Sequence, residues 1–150
     1  MQCVHILGKK LKNTMRTRSY AELRHFSTFD ERFDYLKLDG VVGHSTFGFD
    51  RYINQQFYSS SEWKRARDVV ILRDNGCDLG IPGYEIHRGL LVHHINPMNA
   101  EDIIDYDEWI TNPEYLITTT KNTHNAIHYG NKSLLPKVVL QRTRGDTKLW

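Results

Sequence analysis

Cysteine is scarce in this chain of 150 residues: Cys3 and Cys77 are its only two, and neither belongs to a CxxC pair. A disulfide framework and a four-cysteine structural zinc site are therefore excluded, although a single disulfide is not. No apolar run approaches the roughly 20 residues that a transmembrane helix requires. The start of the chain is also unlike a secretory signal, because its basic pair, Lys9-Lys10, follows the short apolar stretch instead of preceding it. We therefore expect an intracellular, cytoplasmic protein with no membrane partner.

The chain has little net charge, only +2, and its hydrophobic content of 39% and charged content of 25% are typical of a globular protein. The charge is unevenly distributed. Basic residues are concentrated near the N-terminus, at Lys9, Lys10, Lys12, Arg16, Arg18 and Arg24, and acidic residues at Glu101, Asp102, Asp105, Asp107 and Glu108. A basic leader suits binding to a phosphate backbone, but a charge run is also typical of a solvated tail. The acidic cluster does not select a function.

We expect an α+β fold with four parts. Residues 1–19 form a basic, flexible arm and residues 20–85 a helical part that packs on the site. Residues 86–132 hold the functional core, and residues 133–150 form a C-terminal tail. The apolar spacing in 29–38 predicts a short helix.

A second helix is predicted to run from Trp63 to Arg73, with a capping box formed by Ser59 and Glu62. Its polar face carries Lys64, Arg67 and Arg73, which are candidates for binding the phosphates of nucleic acid. Basic residues on a solvated helical face need no ligand, so both interpretations stay open. The aromatic residues of 47–58 could stack on bases, but they are expected to pack in the core.

Four of the eight histidines fall in two clusters. Residues 89–95 read as a strand that carries His93 and His94, and 115–119 as a second strand. Between them, 96–113 forms a long loop with one helical turn near 101–104. A helix capped by Thr120 or Asn122 and ended by Gly130 follows, and its i,i+4 spacing places His124 and His128 on one face.

These spacings indicate a metal site. Imidazole is the commonest side-chain ligand for divalent metals and a general base near neutral pH. Adjacent strand residues point to opposite faces, so one of these two histidines can bind a metal while its neighbour faces an attacking water. That division suits phosphodiester hydrolysis, which needs a base opposite the leaving group. The alternative is that these histidines are ordinary core residues with satisfied hydrogen bonds. Four histidines would then have these spacings by chance.

Together, the pattern of His93-His94, the stretch 112–117 (Asn-Pro-Glu-Tyr-Leu-Ile) and His124-xxx-His128 resembles the HNH nuclease motif. This motif forms the ββα-metal finger of colicin DNases, homing endonucleases and many phage endonucleases. The match covers about 88–130, and flanking pieces such as 46–52 and 74–80 also resemble small HNH proteins of tailed phages. The resemblance implies a two-stranded antiparallel hairpin plus a helix, with further helices before it.

The resemblance also implies roles for single residues. His93, His124 and His128 would bind one divalent metal, and His94 would be the general base. The family's middle Asn normally directly precedes the Leu-Ile of the second strand, where this chain has Tyr115. Asn112 is therefore expected to fix the loop and support catalysis, unless the Tyr115 hydroxyl does so. Arg88 is a candidate phosphate contact, with an exposed lead-in as the alternative.

We therefore expect a metal-dependent DNA endonuclease that leaves a 5′ phosphate and a 3′ hydroxyl. Three histidines favour zinc, nickel or manganese, while magnesium would support turnover. The partners implied are double-stranded DNA, including its nicked product, and phage packaging or replication proteins. With an ordinary histidine pKa of ~6.5, activity should rise between about pH 6 and pH 8. The competing hypothesis is a non-catalytic, metal-stabilised DNA-binding accessory module of a packaging or repair assembly.

Overall fold

The computed structural model describes residues 18–38 and 50–135. Within these ranges the fold is α+β, as predicted, with six α-helices and two antiparallel two-stranded sheets. The helices are α1 Tyr20–Leu23, α2 Phe29–Leu36, α3 Asp50–Ser59, α4 Ser61–Arg73, α5 Ala100–Ile104 and α6 Lys121–Tyr129. The strands are β1 Cys77–Asp78, β2 Tyr84–Glu85, β3 Leu90–His94 and β4 Leu116–Thr120. None of the described helices has the length and apolar character needed to cross a membrane. Most of the predicted arm and tail, 1–17 and 136–150, lies outside the described residues, as does 39–49.

The β3–β4 hairpin lies between two layers of helices. His94 pairs with Leu116 and His93 with Ile117, so these two pairs lie on opposite faces of the hairpin. The face with Leu116 packs against α3, α4 and α5, and its core contains Phe57, Trp63, Ala66, Val70, Ile103, Ile110 and Leu116. The face with Ile117 packs against α1, α2 and α6, and its core contains Leu23, Leu36, Ile95, Ile117 and Ile127. His93 and His94 therefore face two different cores.

Capping side chains determine where several of the helices begin. Thr28 and Glu31 form a reciprocal capping box at the start of α2. The predicted cap of α4 was wrong by one residue, because Ser60 and not Ser59 accepts the N–H of Trp63. Thr120 caps α6, and Gly130, with φ of +62°, ends it in the left-handed conformation that glycine adopts without strain.

The stretch after α4 turns at residues 74–76 and then forms the β1–β2 hairpin. Asp74 and Asp78, which flank the turn, accept the backbone N–H groups of Thr118 and Thr120 at 2.8 Å and 2.9 Å. These are N–H groups of β4, which has no second strand partner among the described residues. Two carboxylates thus satisfy donors that a third strand would otherwise pair.

Candidate metal centre and its neighbouring histidine

Three histidines converge beside α6. His93 comes from β3 and is 2% exposed, while His124 and His128 come from α6 and are half-buried. One ring nitrogen from each lies within 4.8 Å of the others. Nε2 of His124 and Nε2 of His128 are 3.0 Å apart, and the His93 ring is perpendicular or nearly so to both. The predicted set His93, His124 and His128 is therefore brought together.

All three imidazoles are held neutral. Burial lowers the pKa of His93 well below its ordinary value, and repulsion from His124 and His128 lowers it further. Burial likewise lowers the pKa of His128 to about 4, and it lowers the pKa of His124. A neutral imidazole keeps one nitrogen lone pair, which is the form that binds a metal.

A divalent cation fits this cluster. Nε2 of His93 is buried and has no hydrogen-bond partner among the described residues, which is costly in the absence of a ligand. Two nitrogens bound to zinc at about 2.1 Å in its tetrahedral geometry would be separated by about 3.4 Å, and Nε2 of His124 and Nε2 of His128 are 3.0 Å apart. Oδ1 of Asn125 lies 3.4 Å from Nδ1 of His124, so a proton on Nδ1 leaves Nε2 free to bind.

His94 lies on the other side of β3 and is 8% exposed. Its Nε2 is 2.8 Å from the carbonyl oxygen of Ile110. A carbonyl only accepts hydrogen bonds, so Nε2 carries the proton of the neutral ring and Nδ1 keeps its lone pair. Nδ1 has no hydrogen bond to any of the described residues. The ring stacks on Trp63, with centroids 5.2 Å apart and planes 17° apart, and meets the edge of Trp109.

The environment of His94 changes the expected titration. Burial lowers the pKa of His94 to about 4, and the hydrogen bond to Ile110 only partly opposes this. The ordinary pKa on which the expected rise in activity between pH 6 and 8 depended therefore does not describe this side chain. Its base form is already populated at pH 5. Sequence reasoning missed both Trp63 and the Ile110 carbonyl as neighbours of His94, because no local signal announces a tertiary contact.

Asn112 fixes the loop before β4 without touching His94. Its Oδ1 accepts the N–H of Glu114 at 3.0 Å and caps the short 3-10 turn Pro113–Tyr115. Its carbonyl accepts the N–H of Tyr115. Tyr115 in turn joins β3 through its own carbonyl, which accepts the N–H of Ile95. The predicted loop-fixing role of Asn112 is thus local, and the atom that orients His94 belongs to Ile110.

The structure gives Arg73 a role different from the predicted DNA contact. Its guanidinium donates to the carbonyls of Pro113 and Leu116 at 2.6 Å and 2.7 Å, and to the carboxylate of Asp74 at 2.7 Å. It also lies 3.6 Å from the centre of the Tyr20 ring. With its donors directed into the fold, Arg73 ties the end of α4 to β4.

The other three basic candidates remain accessible. Lys64 and Arg88 are exposed, and Arg67 is half-buried with Asp68 at 3.7 Å. Their predicted phosphate contacts stay predictions.

Comparisons of the chain with models of protein families, with curated proteins and with solved structures found no match. Any assignment of function therefore depends on the geometry of the residues described above.

Proposed function

We propose that this protein is a metal-dependent DNA endonuclease of the HNH type, and that residues 86–132 form its ββα-metal finger. The observation that carries the proposal is the convergence of His93, His124 and His128, together with the position of His94 on the opposite face of the strand that carries His93. The antiparallel pairing of β3 with β4, and the start of α6 directly after β4, support the finger.

In this proposal His93, His124 and His128 hold one divalent cation. The cation supplies positive charge that polarises the phosphate and stabilises the departing 3′ oxygen. Nδ1 of His94 takes a proton from water, and the resulting hydroxide attacks phosphorus in line with the leaving group. The P–O3′ bond breaks and the departing 3′ oxygen takes a proton from solvent water, leaving a 5′ phosphate and a 3′ hydroxyl. Ile110 fixes the tautomer by holding the proton on Nε2 of His94.

The donor set favours a borderline metal. Three imidazoles suit zinc or nickel better than manganese or magnesium, which prefer oxygen ligands. The proposed substrate is double-stranded DNA, with Lys64, Arg67 and Arg88 as candidate phosphate contacts. Because such contacts neutralise phosphates, binding should weaken as the salt concentration rises.

A plasmid-nicking assay tests the proposal. Supercoiled plasmid is incubated with the wild-type protein and with each of zinc, nickel, manganese and magnesium, and then with EDTA. We expect nicking that requires a metal and falls at least 100-fold in His94→Ala and in His94→Gln, since general-base catalysis contributes about 10²–10⁴-fold. Glutamine can still donate to the Ile110 carbonyl, so it separates loss of the base from loss of the contact.

The matched control is His25→Ala, because His25 is exposed and lies between α1 and α2. It should nick at the wild-type rate. Nicking by both His94 variants at the wild-type rate would refute the assigned base. Nicking unaffected by EDTA would refute the metal.

A specific observation favours a second candidate, a non-catalytic, metal-stabilised DNA-binding module. His94 is 8% exposed and surrounded by Phe57, Trp63 and Trp109, an environment that also suits a structural side chain. In the same assay, DNA retention without nicking in any of the four metals would support this module over the enzyme.

A further inference from the structure

The junction between β4 and α6 controls the geometry of the histidine cluster. β4 ends at Thr120 and α6 begins at Lys121, with no loop between them. His93 lies on β3, which is paired along its length with β4. The angle at Thr120 therefore determines how far His124 and His128 lie from His93.

A buried carboxylate clamps this junction. Asp78 is 0% exposed, and its Oδ2 accepts the backbone N–H of Thr120 at 2.9 Å and the hydroxyl of Thr123 at 2.5 Å. Its Oδ1 accepts the N–H of Gly80 at 2.9 Å. Thr123 directly precedes His124, and its methyl packs so closely on Gly80 that a Cβ there would lie 2.5 Å away.

We propose that Asp78 is a positioning residue for the metal centre: it sets the tilt of α6 on β4 and thereby places His124 and His128 against His93. The proposal rests on the metal-binding part of the proposed function and not on DNA cleavage. The hydrogen bonds of Asp78 go to Gly80, Thr120 and Thr123 and not to the three ligands, so its effect passes through Thr120 and Thr123.

Small tilts at this junction are large on the scale of metal coordination. With a rise of 1.5 Å per residue, His124 and His128 lie about 6 Å and 12 Å along α6 from Thr120. A tilt of about 10° would therefore move them by roughly 1 Å and 2 Å. Metal–ligand distances tolerate only about 0.2 Å. The negative charge of Asp78 near the N-terminus of α6 also interacts favourably with the dipole of that helix.

The substitution Asp78→Asn tests the proposal, because asparagine keeps the size but loses the charge and one acceptor. Asp74→Asn is the matched control. Asp74 is also buried and also accepts a backbone N–H of β4, but at Thr118, two residues before the junction. Each full-length variant is titrated with Zn²⁺ by calorimetry, and with Co²⁺ while its visible absorption is recorded. Unfolding of the metal-free proteins is measured in parallel.

We expect Asp78→Asn to weaken Zn²⁺ binding at least tenfold and to alter the Co²⁺ spectrum. Substitution of residues that support metal ligands commonly weakens metal binding by about 10–100-fold. Asp74→Asn should lower stability but keep Zn²⁺ affinity within threefold of wild type and leave the spectrum unchanged. Equal affinities in the two variants would overturn the proposal. If Asp78→Asn does not fold, Thr123→Val decides, because it removes one of the clamping hydrogen bonds at nearly constant volume and should weaken Zn²⁺ binding at least threefold.

The outcomes separate this inference from the proposed nuclease. A wild-type protein that binds Zn²⁺ but cuts no DNA refutes the nuclease, while a selective loss in Asp78→Asn still supports the positioning role. Wild-type nicking together with unchanged Zn²⁺ affinity in Asp78→Asn refutes the positioning role alone. A wild-type protein that binds neither Zn²⁺ nor Co²⁺ overturns the positioning role, and one that also nicks DNA with none of the four metals overturns both proposals.

Discussion

Replacing His94 by phenylalanine should make the metal-free protein less sensitive to acid. Burial lowers the pKa of His94 to about 4 in the folded protein, against an ordinary value of 6.5. Below pH 6.5 the unfolded chain therefore binds a proton at this position that the folded chain does not. Stability is fully retained above pH 6.5 and is lost as the pH falls towards 4.

The size of the effect follows from that difference. Between about pH 6.5 and pH 4, each fall of one pH unit lowers the free energy of unfolding by about 1.4 kcal/mol through His94. Between pH 7.5 and pH 4.5 the wild-type protein should lose about 2.5 kcal/mol through His94 alone. The phenylalanine variant has no titrating ring at this position and should lose that much less, even though it is less stable at pH 7.5 without the bond to Ile110.

The free energy of unfolding of both proteins is measured at each pH by urea titration in EDTA, followed by tryptophan fluorescence. Trp63 reports on this site because it stacks directly on the His94 ring. The test is the difference between the two pH dependences, in which the other histidines contribute little, because repulsion from His94 is the smallest of the effects that lower the pKa of His93. Identical pH dependences would refute the assignment of a buried, neutral His94. A smaller loss in the wild type than in the variant would reverse the sign and refute it as well.

Three further outcomes are expected. Gly80→Ala should cost about 1–3 kcal/mol of unfolding free energy by overpacking, because its Cβ would lie 2.5 Å from the Thr123 methyl; wild-type stability in urea would contradict this. Arg73→Gln should lower the free energy of unfolding by about 3 kcal/mol, because it leaves Asp74 buried without its ion-pair partner. Since the donors of Arg73 are used within the fold, this variant should still retain DNA in a low-salt filter-binding assay at a temperature where it is folded. Zn²⁺ at 100 times its dissociation constant should stabilise the wild type by about 2.7 kcal/mol and leave His124→Ala unchanged in a thermal melt. Equal stabilisation of both proteins would place the ion elsewhere.

Most elements around the candidate site could be predicted, because their signals are local. The apolar run before His93 predicts β3, and the cap at Thr120 together with Gly130 delimits α6. The β1–β2 hairpin was missed because each of its strands has only two residues, too few to show an alternating pattern. The cap of α4 was predicted one residue too early, at Ser59 instead of Ser60. Three consecutive serines precede Glu62, and only the backbone geometry shows which of them is the cap.

Arg73 illustrates the limit of assigning roles from charge. Its position on the polar side of a predicted helix indicated a phosphate contact. In the fold, the same side chain donates to carbonyls 40 and 43 residues away in the chain. A cationic side chain at a helix end is as suitable for backbone carbonyls as for phosphate oxygens, so its residue type alone does not choose between them.

The sequence by itself determined that His93 and His94 face opposite sides of a strand and that His124 and His128 share one face of a helix. Strand alternation and helical periodicity are properties of the local backbone. Only the tertiary structure decided that α6 brings its two imidazoles to His93. It also decided that Phe57, Trp63, Trp109 and the Ile110 carbonyl surround His94. Desolvation and hydrogen bonding depend on partners distant in the chain, such as Asp78 and Thr123, 45 residues apart. No local pattern encodes such contacts.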